Sequence, residues 1–142
     1  MRVLLICAVS LALLVVSPAA ASRAGGVPRA EGCAWQANAT ALTLRAALRT
    51  EDLLARYGGE EFVVLARGVD LKQGTHLAER LRAVTQRQPV SAGGKTIART
   101  LSAGVATLAC CGEDPSVARV LGLADERLYQ AKEGGRNRVV GG

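Results

Sequence analysis

Two glycines, two adjacent carboxylates and an apolar run stand in succession at Gly58-Gly59-Glu60-Glu61-Phe62-Val63-Val64-Leu65, and no other stretch of the sequence is as well suited to chemistry. Glycine permits positive φ and lets a ligand approach the backbone, so the stretch reads as the tip of a β-hairpin. Neighbouring carboxylates on a tight turn repel each other unless a positive charge sits between them. The combination points to a nucleotide-phosphate site organised by a divalent cation. The plainer alternative is a glycine-rich hairpin whose acids are solvated.

Two further sets of residues have suggestive spacing. Lys132 and Arg136 are four apart at the end of an apolar-striped segment, and share one side if the helix persists that far. A point charge beside a planar fork suits a triphosphate. The same pair also reads as a basic helix C-terminus interacting with the helix dipole. Arg49 and Asp52, taken alone, make no more than a surface salt bridge worth at most ~1 kcal/mol. His76, the one histidine, falls on an otherwise polar helix face and reads as a surface residue. Cys7, Cys33, Cys110 and Cys111 have no Cys-x-x-Cys spacing and no histidine partner, so they read as free thiols rather than zinc ligands.

These groups must be positioned by a small fold. The 142 residues leave room for one domain, and with aromatics at 3% the core must be built from Leu, Val and Ala. The net charge is +6, but the arginines are scattered, without a run or interleaved aromatics. That pattern suits solvated surface with a few phosphate contacts rather than nucleic-acid binding. At the N-terminus Arg2 precedes an apolar stretch from Val3 to Val16, broken only by Ser10 and followed by Ser17-Pro18-Ala19-Ala20-Ala21-Ser22. This is the order of a signal peptide, and it is shorter than the ~20 residues of a spanning helix unless its flanks are included. Residues 1–22 are therefore expected to be a signal-peptide-like or membrane-anchor leader, 23–38 a linker, and 39–142 the folded part. An anchor implies membrane contact and a place at the cytoplasmic face of the inner membrane; cleavage implies export.

Along the folded part, 39–49 favour helix, Leu53–Tyr57 a strand, Gly58–Glu61 a turn and Phe62–Ala66 a strand. Asp70 can cap a helix over Leu71–Gln86 whose apolar face is Leu77, Ala78, Leu81 and Val84. A short hairpin is expected around Ala92-Gly93-Gly94, then a strand over Thr100–Leu108. Asp114 at N-cap and Pro115 at N1 are expected to open the last helix, which buries Val117, Val120, Leu121, Ala124, Leu128 and Ala131 and ends at Gly134. Arg138–Val140 reads as a terminal strand. Helices alternating with hairpins predict an α+β fold, with helices packed on a mostly antiparallel sheet.

In its context the turn resembles the signature of the GGDEF family, the bacterial diguanylate cyclases. The segment Arg49–Tyr57 leads into it as the family's sequence does. Leu77–Arg82, Ser102–Ala106, Ala124-Asp125, Leu128–Lys132 and Gly135–Val139 follow in the family's order and at about its spacing. The resemblance covers roughly residues 40–142. It implies a ferredoxin-like nucleotidyl-cyclase fold and the joining of two GTP molecules into cyclic di-GMP with release of pyrophosphate, each GTP held by one domain of a homodimer. It implies Glu60 as a ligand of Mg²⁺ or Mn²⁺, and Glu61 as a helper at the metal or in deprotonating the attacking hydroxyl. Gly58 and Gly59 would pass close to the nucleotide, and Lys132 and Arg136 would contact its phosphates. Arg49 and Asp52, with Arg80, match the site where product binds and restrains the enzyme; guanidinium reads phosphate or guanine, and the carboxylate accepts guanine N–H groups. Asp125 would be structural.

The family's first half carries a strand with a second metal-binding aspartate, in an Asp-x-Asp-x-Phe pattern. No aspartate precedes Asp52 here, so that pattern has no counterpart. The sequence therefore predicts a truncated domain that lacks its central strand, unless part of the apolar leader supplies it. Cyclase activity is expected to be weak or absent. The rival readings are a non-catalytic cyclic di-GMP-binding module through Arg49 and Asp52, and a non-functional gene fragment.

Overall fold

The computed structural model describes residues 11–20, 39–58, 60–92, 95–113 and 115–142. The described elements are β1 (Leu11–Ala20), α1 (39–47), β2 (Leu53–Arg56), β3 (Phe62–Arg67), α2 (Leu71–Arg87), β4 (Val90–Ala92), β5 (Lys95–Ile97), β6 (Arg99–Thr107), a 3₁₀ turn (Leu108–Cys111), α3 (Val117–Glu133) and β7 (Val139–Val140). Five strands form one sheet in the order β2-β3-β1-β6-β7, and β4 and β5 make a separate hairpin. Every neighbouring pair in the large sheet is antiparallel except β6 and β7. The α+β architecture, with α2 and α3 packed on β6, agrees with the reading of the sequence.

The expected loss of the central strand is corrected. The central position is filled by β1, drawn from the apolar stretch 11–20. It pairs with β3 from Leu11↔Arg67 to Val16↔Phe62, and with β6 from Ala12↔Thr107 to Ala20↔Arg99. A run of Leu, Val and Ala suits a strand with neighbours on both sides as well as it suits an apolar leader. Pro18 lies past the last pair with β3, where β1 has a sheet neighbour on one side only. A missing backbone N–H is tolerated at such a position. The predicted leader (1–22) falls partly, and the predicted linker (23–38) wholly, outside the described residues. Among the described residues no helix is long and apolar enough to cross a membrane.

The helices are held by specific caps. Asp70 closes a capping box on α2: its carboxylate accepts from the Gln73 N–H at 2.7 Å, while the Gln73 side chain accepts from the Asp70 N–H at 2.9 Å. The buried stripe of α2 is Gly74, Ala78, Leu81 and Thr85, at helical spacing. α3 begins two residues later than its sequence suggests. Its N-cap is Ser116, extended at φ −128°, whose hydroxyl accepts from the Arg119 N–H at 3.2 Å. Asp114, expected at that position, lies outside the described residues, and Pro115 precedes the cap instead of following it. Val120, Ala124, Leu128 and Ala131 form the buried stripe of α3, while Val117 at its first turn is exposed.

Two features lock the layers together. Arg99, at the start of β6, is 4% exposed. Its guanidinium donates to the hydroxyls of Thr40 and Thr43 on α1 and to the Gln88 carbonyl that ends α2. Burial pushes the Arg99 guanidinium below its usual pKa. Second, β6 crosses α3 at Gly104, where a Cβ would collide with the helix backbone at Ala124 and Leu128. Gly122, on the exposed face of α3, is the opposite case, with open space where a Cβ would stand. Gly122→Ala is expected to raise stability by about 0.5–1 kcal/mol, read as a higher thermal midpoint, because alanine restricts the unfolded chain and favours helix.

Candidate functional site

The antiparallel pairing of β2 with β3 places the turn 57–61 at one end of the sheet. The Glu61 carbonyl closes it by accepting from the N–H groups of Tyr57 (2.8 Å) and Gly58 (3.2 Å). Arg56 Nε donates to the Gly58 carbonyl at 3.2 Å. The turn is tight: a Cβ on Gly58 would stand 3.1 Å from Glu61 Oε2. Gly59 lies outside the described residues. Glu60 is exposed, while Glu61 is half-buried with Oε1 3.8 Å from Lys132 Nζ. The structure thus brings Gly58, Glu61 and Lys132 together.

Arg136 is positioned differently from the helical expectation. α3 stops at Glu133 in a Schellman turn, with Gly135 at φ 109°, its N–H donating to the Lys132 carbonyl, and the Arg136 N–H donating to the Ala131 carbonyl at 3.0 Å. Arg136 and Asn137 then follow at φ 61° and 48°, the left-handed region that few L-residues enter. The helix ends at Gly134 as its sequence indicates, so the condition for Lys132 and Arg136 to share one helical face is not met. The segment is pinned by its neighbours. Asn137 N–H donates to Ser102 Oγ, Arg82 Nη1 donates to Asn137 Oδ1, and the Arg138 carbonyl accepts from Ala103 N–H. Arg136 itself is exposed beyond the helix end.

A protein-held Mg²⁺ or Mn²⁺ at this end would rest on the two acids of the turn, Glu60 and Glu61. Val16 of β1 pairs with Phe62, the residue after Glu61, so the end of β1 runs beside the turn. None of residues 11–20 is an aspartate or glutamate. Glu61 shares its charge with Lys132, and among the described residues no three His, Cys, Asp or Glu side chains converge to hold an ion. A magnesium site usually takes one or two carboxylates plus substrate phosphates; here Glu60 and Glu61 are the acids of the turn, and β1 adds none from residues 11–20.

The other end of β3 carries a cavity of about 390 Å³ lined by Arg49, Asp52, Ala66, Gly68, Val69, Gln73, His76, Leu77 and Arg80. Asp52 is 3% exposed and shapes the turn before β2: its Oδ2 accepts from the Arg49 N–H at 2.9 Å, and its carbonyl accepts from Arg45 Nη1 at 2.6 Å. Arg45 also holds the carbonyls of Arg49 and Thr50, fixing the whole corner. Arg80 reaches across from α2 to the Ala47 carbonyl at the end of α1. Arg49, Asp52 and Arg80, separated by up to 31 positions in the sequence, therefore line one cavity. The sequence reading missed Gln73 and His76 as lining residues. His76 lies one helical turn before Arg80, but only the fold brings both to Arg49 and Asp52.

Cys110 and Cys111 are free thiols, as their spacing suggested; Cys7 and Cys33 lie outside the described residues. Burial alone would raise the Cys110 thiol, but hydrogen bonds with Thr107 and the Arg127 guanidinium at 3.8 Å outweigh it and hold its pKa below the usual value.

Comparison with known proteins accords with this geometry. The family model described as diguanylate cyclase, GGDEF domain, matches residues 38–138. The response regulator PleD of Caulobacter vibrioides is 43% identical over 103 residues, covering 71% of this chain and 22% of PleD. The diguanylate cyclase DgcP of Pseudomonas aeruginosa is 43% identical over 96 residues, covering 68% of this chain and 14% of DgcP. The chain thus spans less than a quarter of either relative. Among solved structures, the GGDEF domain of DgcB from Caulobacter crescentus, in complex with c-di-GMP, superposes with a TM-score of 0.71 at 23% identity, over 92% of this chain and 77% of that one. The FimX GGDEF domain from Pseudomonas aeruginosa superposes with a TM-score of 0.76 at 21% identity, over 92% and 79%. With its sequence matched from residue 38 to 138 and its sheet and helices laid out as in these domains, the chain belongs to the GGDEF family.

Proposed function

We propose that this chain is a guanine-nucleotide signalling domain of the diguanylate cyclase type, which holds cyclic di-GMP in the cavity of Arg49, Asp52 and Arg80 and forms it from GTP weakly or not at all. The observation that carries the reading is that two arginines, Arg49 and Arg80, and the buried Asp52 line a single cavity. That set matches the ligand. Guanidinium groups offer paired donors to phosphodiester oxygens and to the guanine edge, and a carboxylate accepts the guanine N–H groups.

At the other end of β3, the Gly58–Glu61 turn and Lys132 are suited to a nucleotide triphosphate, with Arg136 available from the segment beyond α3. Cyclisation needs a 3′-hydroxyl of one GTP to attack the α-phosphorus of another with pyrophosphate leaving, twice, so it calls for two copies of the domain face to face. Phosphoryl transfer depends on positioning and on neutralising charge. With one pair of adjacent acids and none facing them from β1, the charge-neutralising half of that requirement is deficient. Binding is thereby favoured over turnover.

Calorimetric titration of the full chain with cyclic di-GMP tests the reading. Saturable binding is expected, with affinity falling as salt rises because the contacts are ionic. Absence of heat and of any thermal-midpoint shift with cyclic di-GMP would remove the proposal.

A further inference from the structure

We propose that His76 makes the cavity's hold on cyclic di-GMP proton-linked, its imidazolium serving as a third cation in the pocket, so that binding tightens as the pH falls. This rests on the reading of the cavity as a cyclic-dinucleotide site. His76 and Arg80 are four apart on α2, which puts them on one face, and both line the cavity. The other charged groups lining it are Arg49 and Asp52, from the turn before β2. One acid therefore stands among two permanent cations and one titratable side chain. The Asp52 carboxylate accepts from the Arg49 backbone N–H, and the two arginines outnumber this one acid around the cavity.

The chemistry isolates the histidine as the source of any pH effect. The ligand has two phosphodiester groups, which stay ionised near neutrality, and its guanines stay neutral there. Arginine keeps its charge throughout. Imidazole is the side chain that changes charge between about pH 5 and 8. His76 is also the only histidine in the chain.

The direction follows from linkage. A bound anion favours the protonated imidazole, so the histidine binds its proton more tightly in the complex than in the free protein. Binding then takes up protons. The added affinity is therefore present at acid pH and lost toward alkaline pH. His76 is exposed, so solvent screens the attraction, and the gain is about three- to fivefold rather than the larger factor of a buried pair.

The test is calorimetry of the full chain with cyclic di-GMP at about pH 5.5, 6.5 and 7.5, spanning the imidazole titration, in two buffers of different ionisation enthalpy. The expected result is affinity that rises toward acid, with heats that differ between buffers in the sense of proton uptake. His76→Gln should bind at the weak, alkaline level at every pH and take up no proton. His76→Arg should bind at the tight level at every pH. Affinity independent of pH in the natural chain, or a pH dependence that survives in His76→Gln, overturns the inference while leaving the cavity reading intact. Failure to bind at any pH overturns the cavity reading, and this inference with it.

Discussion

Gly104→Ala is expected to abolish the cooperative thermal unfolding of this chain. The position lies on β6, the strand against which both α2 and α3 pack, and eight of its nine residues are buried. The first atom of any side chain at 104 would enter the backbone of α3 at Ala124 and Leu128. A flexible side chain could swing away from such a collision, but a helix backbone can move only as a unit. α3 is fixed at one end by the Ser116 cap and at the other by the Schellman turn that leads into the pinned segment 136–138. Relief therefore requires lifting the helix and unpacking Val120, Ala124 and Leu128 together. Overpacking commonly costs 1–3 kcal/mol, and a backbone collision with no escape belongs at or above the top of that range, about 3 kcal/mol or more. For a domain this small that is a large share of the total stability. Circular dichroism during a thermal melt checks it. A midpoint within a few degrees of the natural chain would show that β6 and α3 are not in contact as described.

The second large effect concerns binding rather than folding. Arg49→Ala is expected to weaken cyclic di-GMP by about 10- to 100-fold, the loss of one charge-assisted contact to phosphate or guanine. Stability should be unchanged. Arg49 is exposed, and its contributions to the turn come from backbone groups: its N–H donates to Asp52 Oδ2 and its carbonyl accepts from Asp52 N–H and Arg45. Asp52→Ala makes the informative contrast. It removes the proposed acceptor for guanine and also the acceptor that shapes the corner, so it should lower the thermal midpoint as well as the affinity. Calorimetry and a melt on both variants separate the roles. Arg49→Ala binding as tightly as the natural chain would move the ligand elsewhere.

How much of this was readable beforehand depends on the range of the physics at each position. Local signals were legible. Asp70 with Gln73 three residues on makes its own cap, and helical spacing alone finds Ala78 and Leu81 of α2 and Val120, Ala124, Leu128 and Ala131 of α3. The glycine–carboxylate turn was equally plain. Signals that depend on neighbours were not. The stretch 11–20 satisfies the requirements of a membrane leader and of a central strand alike, and only pairing with β3 and β6 distinguishes them. Asp114-Pro115 and Ser116 compete for the same cap, and Ser116 takes it. Lys132 and Arg136 have helical spacing, but Gly134-Gly135 ends the helix between them, which a rule of four residues ignores. His76 read as surface because its own helix face is polar; its place beside Arg49 and Asp52 is a tertiary fact.

The claim at the centre of the account is that this domain holds the cyclic dinucleotide far better than it makes it, because the carboxylates of the 58–61 turn have no acid facing them from β1. The most direct measurement is chromatographic detection of cyclic di-GMP after incubating the purified chain with GTP and Mg²⁺, with Glu60→Ala run in parallel. Product is expected at the level of the Glu60→Ala control. Sustained formation of cyclic di-GMP by the natural chain, lost in Glu60→Ala, would contradict it.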